Sequence, residues 1–177
     1  DSGWWVLGKE VAEFEREFSA YIGRAHAVGV GNGTDALIVA LRAAGVGAGH
    51  RVACVANAGF YATAAIQTVG ATPIFIDVAP HDFLPDEATI ERALAQAPHC
   101  IILTHLFGRM APVEHARARC DAAGITLIED CAQAHGARRS GRMAGAFGHL
   151  ACISFYPTKN LGALGDAGAV LCDDNGL

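Results

Sequence analysis

A single lysine, Lys159, stands in the run Ser154-Phe155-Tyr156-Pro157-Thr158-Lys159-Asn160-Leu161-Gly162, just after an apolar stretch that reads as a strand. Twenty-nine residues earlier a second apolar stretch, Ile125-Thr126-Leu127-Ile128-Glu129, ends at Asp130. A lysine amine can condense with an aldehyde, and a carboxylate at a neighbouring strand end can keep a heteroaromatic nitrogen protonated. Taken singly, each residue has a plainer reading: a solvated surface lysine, and an aspartate that caps a turn or a helix. Pro157, Gly162 and Gly165 around the lysine point instead to a fixed turn, which a solvated amine does not require. Together the two residues are what a pyridoxal phosphate enzyme needs.

Two further constellations carry chemistry. Gly31-Asn32-Gly33-Thr34-Asp35-Ala36 is a glycine-containing turn between a strand and a helix. Such a helix start offers free N–H groups and a positive dipole end to a phosphate, although an ordinary cap by Asn32 or Thr34 explains the same residues. It is neither a Walker loop nor a G-x-G-x-x-G fingerprint. Glu129-Asp130-Cys131-Ala132-Gln133-Ala134-His135-Gly136 follows a strand, and open α/β sheets bind ligands at the carboxyl ends of their strands. His135 and His105 read most simply as satisfied structural histidines.

Elements that would position these groups alternate along the whole chain. Strands are expected over 26–30, 51–55, 73–77, 100–104, 125–129, 150–155 and 169–172, from apolar runs bounded by glycine or polar residues. Helices are expected over 11–21, 34–44, 61–69, 86–97 and 112–123, several of them closed by a glycine. A Gly/Arg-rich loop spans Gly136 to Gly148. Alternation of this kind predicts a three-layer α/β/α domain around a mostly parallel sheet. The chain stops in the turn signal Asp173-Asp174-Asn175-Gly176-Leu177, directly after a strand, as an incomplete domain would.

The three constellations, with Ala71-Thr72-Pro73 leading to Asp77 and His105-Leu106-Phe107-Gly108, resemble the DegT/StrS family of sugar aminotransferases, which are fold-type I pyridoxal phosphate enzymes. The resemblance runs from about Trp4 to Asp173. It implies that Lys159 is the Schiff-base lysine, that Asp130 pairs with the pyridine nitrogen, and that Gln133 contacts the phenolic oxygen. Ser154 and the backbone N–H groups of Gly33, Thr34 and Asp35 would form the phosphate cup. Phe60 would stack on the ring; the segment Ala56 to Thr63 carries one extra residue before the aromatic, so Tyr61 is also a candidate, and counting back from Thr63 favours Phe60. Family members that dehydrate sugars carry histidine in place of the lysine, so Lys159 implies transamination.

The resemblance further implies an amino-acid donor, usually glutamate, a nucleotide-linked keto-sugar acceptor and ping-pong kinetics. It implies a homodimer with shared active sites, in a protein about twice this length whose small C-terminal domain lies outside residues 1–177. Another fold-type I transaminase, or a cofactor-binding regulatory or inactive fragment, would be the alternatives. Trp4, Trp5 and the loop Arg138 to Arg142 could line the sugar-nucleotide entrance, the tryptophans equally well packing in a core or interface.

Composition narrows the remaining classes. The chain has 177 residues, 52% hydrophobic and 18% charged, which suits one well-buried globular domain. A formal net charge of −5 without a basic block argues against nucleic acid. No apolar run is long enough to span a membrane, and Asp1 to Trp5 lack the pattern of a secretory signal. The six cysteines form no C-x-x-C pair and sit mostly in apolar runs, which suggests buried thiols in the cytoplasm and no metal site.

Overall fold

The computed structural model describes residues 3–4, 6–174 and 176. The elements, in chain order, are α1 (Lys9–Ile22), β1 (His26–Val30), α2 (Gly33–Ala43), β2 (Arg51–Val55), α3 (Tyr61–Thr68), β3 (Thr72–Ile76), α4 (Glu87–Leu94), β4 (Cys100–Thr104), α5 (Val113–Ala123), β5 (Thr126–Asp130), β6 (Arg138–Arg139), β7 (Arg142–Met143), β8 (Leu150–Ser154) and β9 (Gly168–Cys172). Every expected strand and helix is present, with ends shifted by a few residues at most. One element was not legible: within the Gly/Arg-rich loop, β6 and β7 pair as a small antiparallel hairpin. Strands of two residues carry no hydrophobic period to detect.

Seven strands form one sheet in the order β1-β9-β8-β5-β4-β2-β3. β2, β3, β4, β5 and β8 pair in parallel, while β9 is antiparallel to both of its neighbours, so it alone runs against the other six. Both faces of β4, β5 and β8 are covered, which is why these strands are buried along almost their whole length rather than alternating. Alternate residues enter two separate cores. Ile101, Leu103, Leu127 and Ile153 join residues of α1, α4 and α5 on one face. Ile102, Ile128, Leu150 and Cys152 join residues of α2 and α3 on the other. This is the expected three-layer arrangement.

Local chemistry sets the element ends. Asp86 caps α4 through a capping box with Thr89, and Gly23 and Gly124 close α1 and α5 in the left-handed conformation. α1 is pinned across the sheet by aromatic packing, with Phe14 and Phe18 both edge-on to Phe155 at 5.4 and 5.1 Å. No helix among the described residues is long and apolar enough to cross a membrane. All six cysteines are free and buried, and burial raises the thiol pKa of Cys131 and Cys152 well above the ordinary value.

Candidate active site

At the carboxyl ends of β4, β5 and β8 a cavity of about 630 Å³ opens against the first turn of α2. Its size is that of a small-molecule site, and its place is where open α/β sheets bind ligands. Gly33, Thr34, Asp35, Asp130, Gln133, Ser154 and Lys159 all line it, so seven of the eight residues expected from sequence converge on one space. The strand period explains part of this. Glu129 falls on the face covered by α1, α4 and α5, whereas Asp130 and Ser154 turn toward α2.

The start of α2 turns backbone N–H groups toward the cavity. Asn32 caps the helix, its side-chain oxygen accepting from the Asp35 N–H at 2.9 Å, while its amide donates to the Asp35 carboxylate at 3.1 Å. The Asp35 N–H is therefore engaged by this cap in the structure. The N–H groups of Gly33 and Thr34 have no protein acceptor among the described residues, as helix starts allow. Gly33 is required here by space rather than by backbone angle. A Cβ on it would lie 2.7 Å from Ser154 Cβ. That close approach brings the helix start onto the end of β8 and sets the Ser154 hydroxyl beside the free N–H groups. Behind it, His135 Nε2 donates to the Ser154 carbonyl at 2.8 Å, and this fixes the tautomer with Nδ1 bare.

Asp130 is buried at the cavity floor. The Ala132 N–H donates to its Oδ1 and the Thr104 hydroxyl to its Oδ2, each at 3.1 Å. Burial still dominates and holds its carboxyl above the usual pKa, against the lowering by those hydrogen bonds and by the charge of Lys159. A cation brought to the remaining lone pairs would reverse that. Lys159 sits half-buried on the wall, its N–H donating to the Tyr156 carbonyl at 2.8 Å to close the turn that Pro157 begins. Gln133, Thr158 and Lys159 also line a second cavity of about 430 Å³.

Of the two aromatic candidates, Tyr61 lines the main cavity and Phe60 does not. Phe60 stacks on the outer side of Tyr61, ring centroids 4.5 Å apart, and is 69% exposed. The preceding Gly59, at φ 73°, makes the turn that carries this extra residue. Sequence reasoning also missed Thr104, Tyr156 and Asp166 on the cavity wall. Thr104 ends β4 beside Asp130 in the sheet register, a pairing that only strand order reveals. Trp4 is exposed, its indole N–H donating to the Val6 carbonyl at 2.7 Å, and Trp5 lies outside the described residues. None of the residues from Arg138 to Arg142 lines either cavity; Arg139 instead pairs with Glu114 at 2.5 Å.

One residue before Asp130, Glu129 is fully buried in a different setting. Its carboxylate accepts from His105 Nε2 at 3.0 Å and from the N–H groups of Gly145, Phe147 and Gly148. His105 Nδ1 accepts from the Ala111 N–H at 3.2 Å, so Nε2 carries the proton given to Glu129. Burial alone would raise the Glu129 pKa, but the hydrogen bonds from His105 and the loop N–H groups outweigh it and hold the carboxyl below its ordinary value. Cys131 approaches this pair, yet the imidazole has no lone pair left for a metal ion.

The whole chain, residues 1–177, matches the sequence profile of the DegT/DnrJ/EryC1/StrS aminotransferase family. It is 45% identical over 98% of its length to a dTDP-3-amino-3,4,6-trideoxy-alpha-D-glucose transaminase from Micromonospora megalomicea subsp. nigra, covering 46% of that protein. It is 42% identical, with the same two coverages, to a pleiotropic regulatory protein of Geobacillus stearothermophilus. Among solved structures, that of S. venezuelae DesV in complex with a ketimine intermediate superposes with a TM-score of 0.94 at 41% identity, over 99% of this chain and 47% of that one. The chain spans about half the length of the curated relatives it matches.

Proposed function

The chain belongs to the DegT/DnrJ/EryC1/StrS aminotransferase family, and on that premise we propose that the protein moves an amino group from an amino acid, glutamate by preference, to a nucleotide-linked keto-deoxysugar, using pyridoxal 5′-phosphate. Residues 1–177 would be its large, cofactor-binding domain. The observation that carries this reading is the convergence in one cavity of the Lys159 amine, the Asp130 carboxylate, the Ser154 hydroxyl and the two free N–H groups of α2. That donor set fits the cofactor: an anion cup at one end, a buried carboxylate needing a cation at its floor, and an amine on the wall.

Within it, Gly33, Thr34 and Ser154 would hold the phosphate, with Asp35 orienting the cap rather than donating. Asp130 would pair with the protonated ring nitrogen, Gln133 would meet the phenolic oxygen, and Tyr61 would lie against the ring, with Phe60 bracing it. When bound, pyridoxal phosphate supplies an electron-withdrawing ring that delocalises the charge left as a carbon gives up its proton. Lys159 Nζ takes that α-proton from the donor amino acid, and gives a proton back to the acceptor carbon in the second half of the reaction. One cavity serves both substrates, so the keto acid leaves before the keto-sugar enters and the kinetics are ping-pong.

Exposed Tyr156 on the cavity wall and exposed Phe107 on the neighbouring cavity support a second copy of the chain closing the site, and six free thiols support a reducing, cytoplasmic setting. Borohydride treatment of the cofactor-loaded protein should fix the cofactor at Lys159, found by peptide mass mapping; label elsewhere, or none, would sink the proposal. The regulatory relative favours a second reading, cofactor binding without turnover. Conversion of glutamate to its keto acid with a nucleotide-linked keto-sugar as acceptor separates the two.

A further inference from the structure

Gln133 and His135 stand two residues apart on the loop after β5 and open on different spaces. Gln133 lines the main cavity, whereas His135 lines an apolar cavity of about 480 Å³ beside Phe14, Phe18 and Tyr21 of α1. His135 is not the satisfied structural histidine that its sequence suggests. His105 uses both ring nitrogens, one on Glu129 and one on the Ala111 N–H. His135 uses Nε2 alone, on the Ser154 carbonyl at 2.8 Å, and its buried Nδ1 has no partner among the described residues. Leaving that nitrogen bare costs free energy, so the bond at Nε2 is the one the fold keeps.

The sheet register shows what that bond replaces. The β5–β8 ladder pairs Asp130 with Cys152, and the Cys131 N–H still donates to the Cys152 carbonyl at 2.9 Å. Two residues on, the Ser154 carbonyl points to the same side, where β5 has already ended. A turn closed by the Ala134 N–H on the Cys131 carbonyl at 2.9 Å returns the imidazole to that place, with the Phe155 ring beside it at 5.9 Å. The side chain thus supplies the next rung of the ladder. Beyond that rung there is no slack: Gly33 leaves no room for a side chain against Ser154, and a Cβ on Gly168 of β9 would overlap the Asn32 carbonyl. Without His135, the buried Ser154 carbonyl lacks a donor, and any turn of its peptide in search of one displaces the Ser154 hydroxyl or the start of α2. Burial, and then the charge of Lys159, hold the His135 pKa below its ordinary value against the pull of the Ser154 hydrogen bond, so the ring stays neutral with its proton on Nε2.

We propose that His135 is a positioning residue for the cofactor phosphate: without touching the cofactor, its Nε2–H bond to the Ser154 carbonyl fixes the Ser154 hydroxyl against the free N–H groups of Gly33 and Thr34. The proposal rests on the transaminase reading, which places the phosphate of pyridoxal phosphate between Ser154 and α2.

The test compares pyridoxamine 5′-phosphate with pyridoxamine, the same ring without its phosphate, on the full-length protein freed of cofactor. Neither ligand can condense with Lys159. Fluorescence quenching gives both Kd values, and their ratio reads the phosphate contacts alone. His135→Leu should cut the preference for the phosphorylated ligand about three- to tenfold, the scale of one hydrogen bond, and leave pyridoxamine within about twofold of the wild type. His135→Gln, whose amide N–H can reach the Ser154 carbonyl, should keep the wild-type preference. A merely structural histidine would weaken both ligands alike and would not be rescued by glutamine. An unchanged preference in His135→Leu, equal losses for the two ligands, or glutamine behaving as leucine would overturn the proposal. Nitrogen-15 spectra of the histidine-labelled wild type stay decisive if His135→Leu does not fold: His135 should carry its proton on Nε2 alone at neutral pH, and a proton on Nδ1 sinks the idea. A wild type that binds neither ligand would strike the transaminase reading instead.

Discussion

Two carboxylates follow one another on β5 and face opposite sides of the sheet. Glu129 is enclosed by His105 and three loop N–H groups, so every strong partner it can use is in place. Asp130 is as deeply buried but has one N–H and one hydroxyl, and its ionised form is disfavoured. The same contrast separates the surrounding regions. Around Glu129 the polar groups are mutually satisfied, and the result is a knot that ties the loop carrying β6 and β7 to the sheet. Around Asp130, two helix N–H groups, an amine and carboxylate lone pairs line a cavity without partners among the described residues. Buried polar groups cost free energy when left unpaired, so a region that leaves several together is arranged for something that arrives later. Saturation marks structure, and its lack marks the site.

The largest expected effect falls on the unsatisfied side. Lys159→Ala should lower transaminase turnover by about 10² to 10⁴-fold or more, the range for removing a positioned acid–base group. Its side chain makes no hydrogen bond to the described residues, so Tm should move by less than about 2 °C. Steady-state kinetics and a thermal melt on one preparation decide it. A large loss of Tm would mean that the lysine is structural and that the comparison between the two regions fails.

The reverse pattern is expected of Glu129. Glu129→Ala leaves His105 and three N–H groups buried without an acceptor, a change that typically costs about 3–5 kcal/mol. For a domain of this size that lowers Tm by roughly 10–15 °C. Activity per folded molecule should change little by comparison, because Glu129 does not line the cavity. If instead Glu129→Ala melts near wild type but loses activity, the knot belongs to the site.

This division between satisfied and unsatisfied groups is what the sequence could not show. β1, β2 and β4 are found residue for residue, because apolar runs flanked by glycine and polar residues state both type and limits. That Lys159, Asp130, Gln133 and Ser154 share one cavity was legible through their motifs. What the motifs hide is occupancy. Asn32-Gly33-Thr34-Asp35 announces a helix start, but only coordinates show that Asn32 already holds the Asp35 N–H. Phe60 and Tyr61 differ by one position, and only the turn at Gly59 shows that Tyr61 lines the cavity while Phe60 lies outside it. Thr104 lies 26 residues before Asp130 and becomes its neighbour only through the parallel pairing of β4 with β5. Alternation implied a mostly parallel sheet, but strand order and the reversed β9 depend on long-range pairing that no local pattern encodes.

pH separates the two carboxylates without abolishing either. Glu129 has a folded pKa below its unfolded one, so its contribution to stability is present above the unfolded value and is lost as pH falls through the folded value. Asp130 has a folded pKa above its unfolded one, so its contribution is full below the unfolded value and is lost as pH rises through the folded value. In the cofactor-free protein, Asp130→Asn should therefore raise Tm at pH 7 by a few degrees, with the gain vanishing under acid conditions. Glu129→Gln should lower Tm at pH 7 and flatten the acid limb of the profile. Melts between pH 3 and 8 test both. Parallel curves for the two variants would erase the distinction between them.

The finest probe is Thr104→Val, which removes the hydroxyl that donates to Asp130 Oδ2 and keeps the shape of the side chain. Asp130 then keeps only the Ala132 N–H, its charged form is less favoured, and its pKa moves further up. A carboxylate that ionises less readily pairs less well with a protonated ring nitrogen. Pyridoxal phosphate binding, followed by fluorescence quenching, should weaken about three- to tenfold at neutral pH, the scale of one hydrogen bond to a charged group. The pH midpoint of that binding should shift upward. Tm of the cofactor-free protein should stay within a few degrees, since the fold loses one hydrogen bond at a site already short of partners. Were binding unchanged while Tm fell as far as in Glu129→Ala, Thr104 and Asp130 would belong with the satisfied interior, and the line drawn along β5 would have to move.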